Sequence, residues 1–250
     1  MFTTTLLIIA TVFIVAGVVK GVIGLGLQVL PMVLLVLVMP PLEAAALLVI
    51  PGLVSNAWQI ASSPAAGAVF ARIWPMLASI CAGTWLGGYL DIGMMGPHAG
   101  TAKALLAVVI IGYAALGLAK WRFALAPQRE PVAGPLCGVV NGLITAATGV
   151  FVVPAVPYLA ALGLSKDELV QALGQTFLVA TMALAINLFQ AGALGSGVTG
   201  PGLVALAASL IGMTIGQYVR SRLDAETFRT CFFAGLLGLG MFVGWRVLAG

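Results

Sequence analysis

Charge is what this sequence has least of. Of its 250 residues 7% are charged and 62% hydrophobic, and mean hydropathy is +1.17. A soluble domain carries about 25% charged residues. A water-facing surface cannot be built from the few present, which excludes a soluble class and leaves an integral membrane protein. Alternation is also missing: the apolar runs are not ten-residue segments of period two, so a membrane barrel is excluded and an all-α polytopic bundle remains. There is one histidine, His98 in the "GPHAG" loop, and three scattered cysteines, Cys81, Cys137 and Cys231. No CxxC or Cys/His cluster exists, so neither a metal site nor a disulfide framework is indicated. "GLGLQ" at 24–28 follows no strand and lacks the final glycine of a dinucleotide fingerprint, so no cofactor is expected. Paired acids and Ser/His or Cys/His sets are absent from the apolar segments, which argues against an enzyme. The net charge of +4 comes from basic residues scattered over loops, where the positive-inside rule explains them without nucleic acid.

What is present is a duplication. "GVVKG" at 17–21 matches "GVVNG" at 138–142, and "PLEAAALL" at 41–48 resembles "KDELVQAL" at 166–173. "GTWLGGYL" at 83–90 matches "GMTIGQYV" at 212–219, and "TAKALL" at 101–106 stands where "TFRTCF" stands at 227–232. The four matches fall in one order, with offsets drifting from 121 to 129 residues. The chain therefore divides into a first membrane repeat, 1–120, a cytoplasmic linker, 121–133, and a second membrane repeat, 134–250. The N-terminus has no basic residue before its apolar run, so it reads as a retained transmembrane helix and not as a signal peptide.

Each repeat opens on an apolar block interrupted by glycine and running into a proline, Pro31 or Pro154, and continues with three plain apolar segments. Split at its glycines, the first block gives pieces of about 16 and 13 residues, roughly 24 and 20 Å of helix. Both fall short of the ~30 Å hydrocarbon core, so each block is expected to be a hairpin of short helices returning to the face it entered. A single long, kinked and tilted helix is the other reading. Charge separates them. With hairpins, the two repeats are inverted in topology and 8 of the 11 Lys and Arg residues share the face of the linker. Lys103 and Arg246 face the other side, and Lys20 lies within the membrane. With single crossings, Lys166, Arg220, Arg222 and Arg229 leave the linker face, and the bias is lost. The hairpin topology puts both termini outside the cytoplasm.

Inverted repeats with broken helices are the architecture of secondary transporters, whose sites lie near the midplane where the breaks meet. The expected breaks are near 20–28 and 141–150. Glycine permits the turn there and uncovers amide N–H groups, and the following short helix points its positive N-terminal end inward, which favours an anion. Lys20 adds a full charge, and no acid occupies the apolar blocks to neutralise it, so a small anionic substrate is its natural partner. Snorkelling to an interface or capping a helix C-terminus is the alternative role for Lys20. The candidate substrate-binding set is Lys20, Gly21, Gly24, Gly26 and Gln28 in the first break, and Asn141, Gly142, Thr145, Thr148 and Gly149 in the second. Asn56, Gln59 and Gln175 join from the plain helices, with Pro31 and Pro154 as hinge or helix-break residues. The polar members can donate to an oxyanion without adding charge; their alternative role is to join helices. The GxxxG pairs at 83–87 and 212–216 read as close helix packing.

The paired glycine stretches, Gly17, Gly21, Gly24, Gly26 and Pro31, then Gly138, Gly142, Gly149 and Pro154, within a duplicated membrane protein of this length, resemble the TauE/SafE sulfite-exporter family over essentially the whole chain. The resemblance implies transport of sulfite, a sulfonate or a similar small sulfur-containing anion across the bacterial inner membrane. An anion channel or a carrier of a non-sulfur carboxylate is the alternative. The implied partners are the small anion and the lipid bilayer, with a homodimer as one open assembly state. The family's denser GxGGG cluster is replaced here by "GLGLQ" and "ATGVFV". The larger side chains would reshape the site and leave the substrate open.

Overall fold

A computed structural model describes residues 2–61, 66–95, 99–119, 124–220, 222 and 225–249. His98, Lys120 and residues 121–123 of the predicted linker lie outside the described residues. The rest is ten α-helices and two single 3-10 turns, with no strand among the described residues. The helices of the first repeat are α1 (Phe2–Ile23), α2 (Val29–Leu35), α3 (Pro41–Ala61), α4 (Ala66–Tyr89) and α5 (Ala99–Leu118). Those of the second are α6 (Glu130–Thr148), α7 (Ala155–Ala161), α8 (Lys166–Gln190), α9 (Ser196–Arg220) and α10 (Ala225–Ala249). Eight of them, all but α2 and α7, are long and apolar enough to cross a membrane. Large apolar side chains such as Trp58, Phe189 and Leu248 stand exposed on the outer faces, as lipid requires and water does not.

The broken blocks differ from the expected pieces of 16 and 13 residues. α1 runs for 22 residues, about 33 Å, and only then breaks, so α2 has 7 residues and about 10 Å. α6 likewise runs for 19 residues before α7, which has 7. It begins at Glu130, inside the predicted linker. The cause is that the glycines of "GVVKG" and "GVVNG" stay helical. A Cβ on Gly17 or Gly21 would overlap backbone atoms of α9 around Gly212 and Gly216, and one on Gly138 or Gly142 would overlap α4 around Ile80 and Gly83. Interior glycine weakens a helix by about 1 kcal/mol relative to alanine; the direct backbone approach it allows offsets that loss. The GxxxG pairs read as packing elements from sequence therefore do pack, with the "GVVxG" stretches as their partners.

The matched helices pack in matched ways. α1 lies on α9 and α6 on α4; α3 lies on α8 and α5 on α10. Gly17 and Gly21 meet Gly212 and Gly216 in the same order, so α1 and α9 run parallel. α4 and α6 are parallel by the same test, with Gly83 at Val139 and Gly87 at Ala146. Gly52 meets Thr181 while Gly174 meets Gln59, so α3 and α8 are antiparallel. α5 and α10 are antiparallel too, with Gly117 at Phe233 and Gly240 at Ile110.

One ion pair ties the halves together. Arg72 of α4 donates from Nε and Nη2 to the two carboxylate oxygens of Glu130 at 3.0 and 2.6 Å, and again from Nη2 to the Leu162 carbonyl at 2.9 Å. It joins α4 to the start of α6 and the end of α7. At the start of α8, Ser165 and Glu168 form a reciprocal capping box, where the sequence comparison had aligned Glu168 with Glu43.

Candidate functional site

The first break occupies residues 24–28, between α1 and α2. Gly24 and Gly26 have φ of +80° and +111°, which side chains bearing a Cβ adopt only with strain, so these two glycines make the turn. Leu27, Gln28 and Val29 follow it into the protein interior. Pro31 sits inside the first turn of α2, where a missing N–H costs nothing.

Lys20, one turn before the break, does not reach the protein surface. It is 5% exposed, and its ammonium donates to Ser55 Oγ at 2.9 Å and Asn56 Oδ1 at 2.8 Å, both on α3. Ser55 and Asn56 are themselves fully buried, roughly 21 Å along α3 from its start. Both acceptors are neutral, and Arg72–Glu130 is the only ion pair among the described residues, so the Lys20 charge has no counter-charge among them. An ammonium has three donors; two are engaged.

Other donors gather on the same turn of α3. The Gln28 amide nitrogen comes close to Gly52, one turn before Asn56, and Thr181 of α8 lies against Gly52 as well, its hydroxyl donating to the Phe177 carbonyl at 2.6 Å. The amide nitrogens of Gln28 and Asn56 are buried and have no hydrogen-bond partner among the described residues. Buried polar hydrogens are ordinarily satisfied, and leaving one unpaired costs about 1–3 kcal/mol. Lys20, Gln28 and Asn56 thus form a desolvated set of N–H donors carrying one positive charge, suited chemically to a small oxyanion.

The second break, residues 149–154, is built differently. Gly149 closes α6 with φ of +71°, and Val150, Phe151 and Val152 are buried beyond it. Asn141 stands where Lys20 stands in the first repeat, but its amide donates to the carbonyls of Phe151 and Val153 at 2.9 and 3.2 Å. It holds its own unwound segment. Its Oδ1 is buried without a partner among the described residues. Thr145 and Thr148 donate to carbonyls of α6, from Asn141 and Ile144, and Thr148 also accepts from the Val150 N–H. Pro154 follows a cis peptide bond and caps α7. Gly149 packs against Met32 of α2 and Ala45 of α3, bringing the second break against the first repeat.

The candidate residues therefore separate. Lys20 is hydrogen-bonded to Asn56, and Gln28 lies against Gly52, one turn earlier on α3; Gly24 and Gly26 make the turn between α1 and α2. Gly21 and Gly142 lie in helix contacts with α9 and α4. Gln59 and Gln175 hold helix ends across the repeats, donating to the Val170 and Ala66 carbonyls at 2.7 Å each. Ser55 and Thr181 belong to the cluster and were missed. Ser55 was signalled only by its neighbour in "SNAWQ", and Thr181 is the repeat partner of Asn56 once Glu43 is aligned with Glu168. Gln171, buried with neither amide atom partnered among the described residues, carried no sequence signal at all.

Comparison with known proteins gives one finding. The family model described as sulfite exporter TauE/SafE matches residues 9–243, which takes in both breaks, α2 to α9 and most of α1 and α10. No curated protein and no solved structure matches the chain.

Proposed function

The chain belongs to the sulfite exporter TauE/SafE family, a family of membrane transporters, and from that premise we propose that it carries sulfite, a sulfonate or a similar small sulfur-containing anion across the bacterial inner membrane by alternating access. The anion binds between Lys20, Gln28 and Asn56, against the α3 turn of residues 52–56 and beside Thr181. The observation that carries this reading is a buried ammonium whose partners among the described residues are two neutral oxygens and no carboxylate. A buried unpaired charge is costly, and an oxyanion with several acceptor oxygens removes that cost while engaging the free amides beside it.

The two halves act as inverted repeats, 1–120 and 134–250, joined by the linker at 121–133. The antiparallel pairing of α3 with α8 and of α5 with α10, each helix being the sequence partner of the other, supports this. The parallel run of α1 with α9 and of α4 with α6 is what the same symmetry requires. Alternating access follows if one repeat rocks against the other about the breaks. The membrane potential drives an anion outward with ~2.3 kcal/mol per charge per 100 mV, so export needs no coupled ion.

A thermal-shift screen of the purified protein tests the substrate class. Sulfite, taurine-like sulfonates, thiosulfate and small carboxylates are each titrated against it. A ligand at a hundred times its Kd stabilises the folded state by about 2.7 kcal/mol. Stabilisation by sulfur oxyanions and not by carboxylates is expected, and it disappears in Lys20→Met. Stabilisation by carboxylates alone would replace the substrate class, and single-channel currents in a planar bilayer would replace the carrier by a channel.

A further inference from the structure

Two cavities flank the seam between α5 and α10, one near each end, and neither contains Lys20. The first is bounded by Ile23 and Leu25 of the first break, Gly117 of α5, Val156 of α7, Leu173 of α8 and Arg229 of α10. The second is bounded by Val36 and Leu37 just beyond α2, Lys103 of α5, and Val243 and Arg246 of α10. They are related by the duplication. Aligning "TAKALL" with "TFRTCF" pairs Lys103 with Arg229, and the same offset of 126 residues pairs Gly117 with Val243. Because α5 and α10 are antiparallel, the paired positions lie at opposite ends of the seam.

Both cavities are lined by basic residues and by no acid among the described residues. Lys103 and Arg246 have no carboxylate within 4 Å among the described residues. Among the described residues Arg229 donates to the Gly117 carbonyl, at 3.4 Å, and lies over the Phe233 ring at 5.6 Å. Both cavities also touch the chain that builds the Lys20 cluster. Ile23 and Leu25 follow Lys20 by three and five residues. Val36 stands at the far end of α2, about 12 Å from Gln28 at its start.

We propose that these cavities are the two mouths of the transport path, each with its own anion-capture site: Arg229 on the linker face, and Lys103 with Arg246 on the opposite face. This rests on the transporter reading given above. A basic residue in a low-dielectric cleft concentrates anions before they reach the central site and raises their rate of entry. The ligand is the transported oxyanion itself, held first at whichever mouth is open.

The test measures sulfite flux from each face separately, in proteoliposomes sorted by orientation, over a range of sulfite concentrations. Arg229→Gln raises the half-saturating concentration from the linker face about tenfold and leaves the other face unchanged. Lys103→Gln with Arg246→Gln does the reverse. Arg229→Lys restores the linker-face value, which a loss of folding does not allow. Equal effects from both faces, or no effect from either, overturn the proposal. So does an effect seen only when the vesicles contain phosphatidylglycerol, which assigns the basic residues to lipid headgroups. If Lys20→Met stops transport while these variants behave as wild type, the mouths fail and the central site stands. If the wild-type protein moves no sulfur anion, both fail.

Discussion

Asn56 is the residue that decides whether Lys20 waits for a ligand. Its Oδ1 accepts from the ammonium at 2.8 Å, and its amide nitrogen has no partner among the described residues. Asn56→Asp places a carboxylate where a neutral oxygen now stands. The expected outcome is a folded protein with a higher melting temperature and no transport, because the anion's place is taken from within; differential scanning fluorimetry and a flux assay read the two effects. Unimpaired flux in that variant would place the substrate elsewhere. Ser55→Ala removes one acceptor from a charged donor and costs about 1–3 kcal/mol of stability, measured as the loss of melting temperature. Lys20 was legible in the sequence because it is the one charge in a long apolar block. Its partners were not, since they lie 35 and 36 residues away on another helix. Gln59 and Gln175 resembled substrate ligands for the same reason: the carbonyls they hold are 111 and 109 residues distant.

The helices show why the breaks were placed too early. A glycine that turns the chain and one that lets two helices touch are the same letter. Gly24 and Gly26 have positive φ and turn; Gly17 and Gly21 are helical and pack. Their spacing relative to the GxxxG pairs of α4 and α9 could have separated them, because a close contact needs small residues on both sides. Substitution distinguishes the roles. Gly212→Val and Gly142→Val drive a side chain into the backbone of the neighbouring helix. They are expected to remove folded protein from a size-exclusion profile, exceeding the 1–3 kcal/mol usual for overpacking. Gly112→Ala, at a helical site with open space around it, is expected to change nothing. The Arg72–Glu130 pair joins elements of both repeats, but Arg72 is 39% exposed. A double-mutant cycle is therefore expected to give a coupling of about 1 kcal/mol or less.

For the whole molecule, composition alone decided the class, and the glycine pairs and their repeat decided the family resemblance that the match over residues 9–243 then established. The direction of each helix was accessible only through the distribution of lysine and arginine. The proposed topology puts both termini on the face opposite the linker, and a reporter fused to either end is expected to be active only outside the cytoplasm. The central claim is narrower: one buried, uncompensated ammonium binds the transported anion. Radiolabelled sulfite flux through proteoliposomes tests it most directly, comparing wild type with Lys20→Met at matched amounts of folded protein. Loss of a charged hydrogen-bonded contact of about 1.5–3 kcal/mol predicts a fall of roughly ten- to a hundredfold. Flux at the wild-type rate in Lys20→Met would contradict the account.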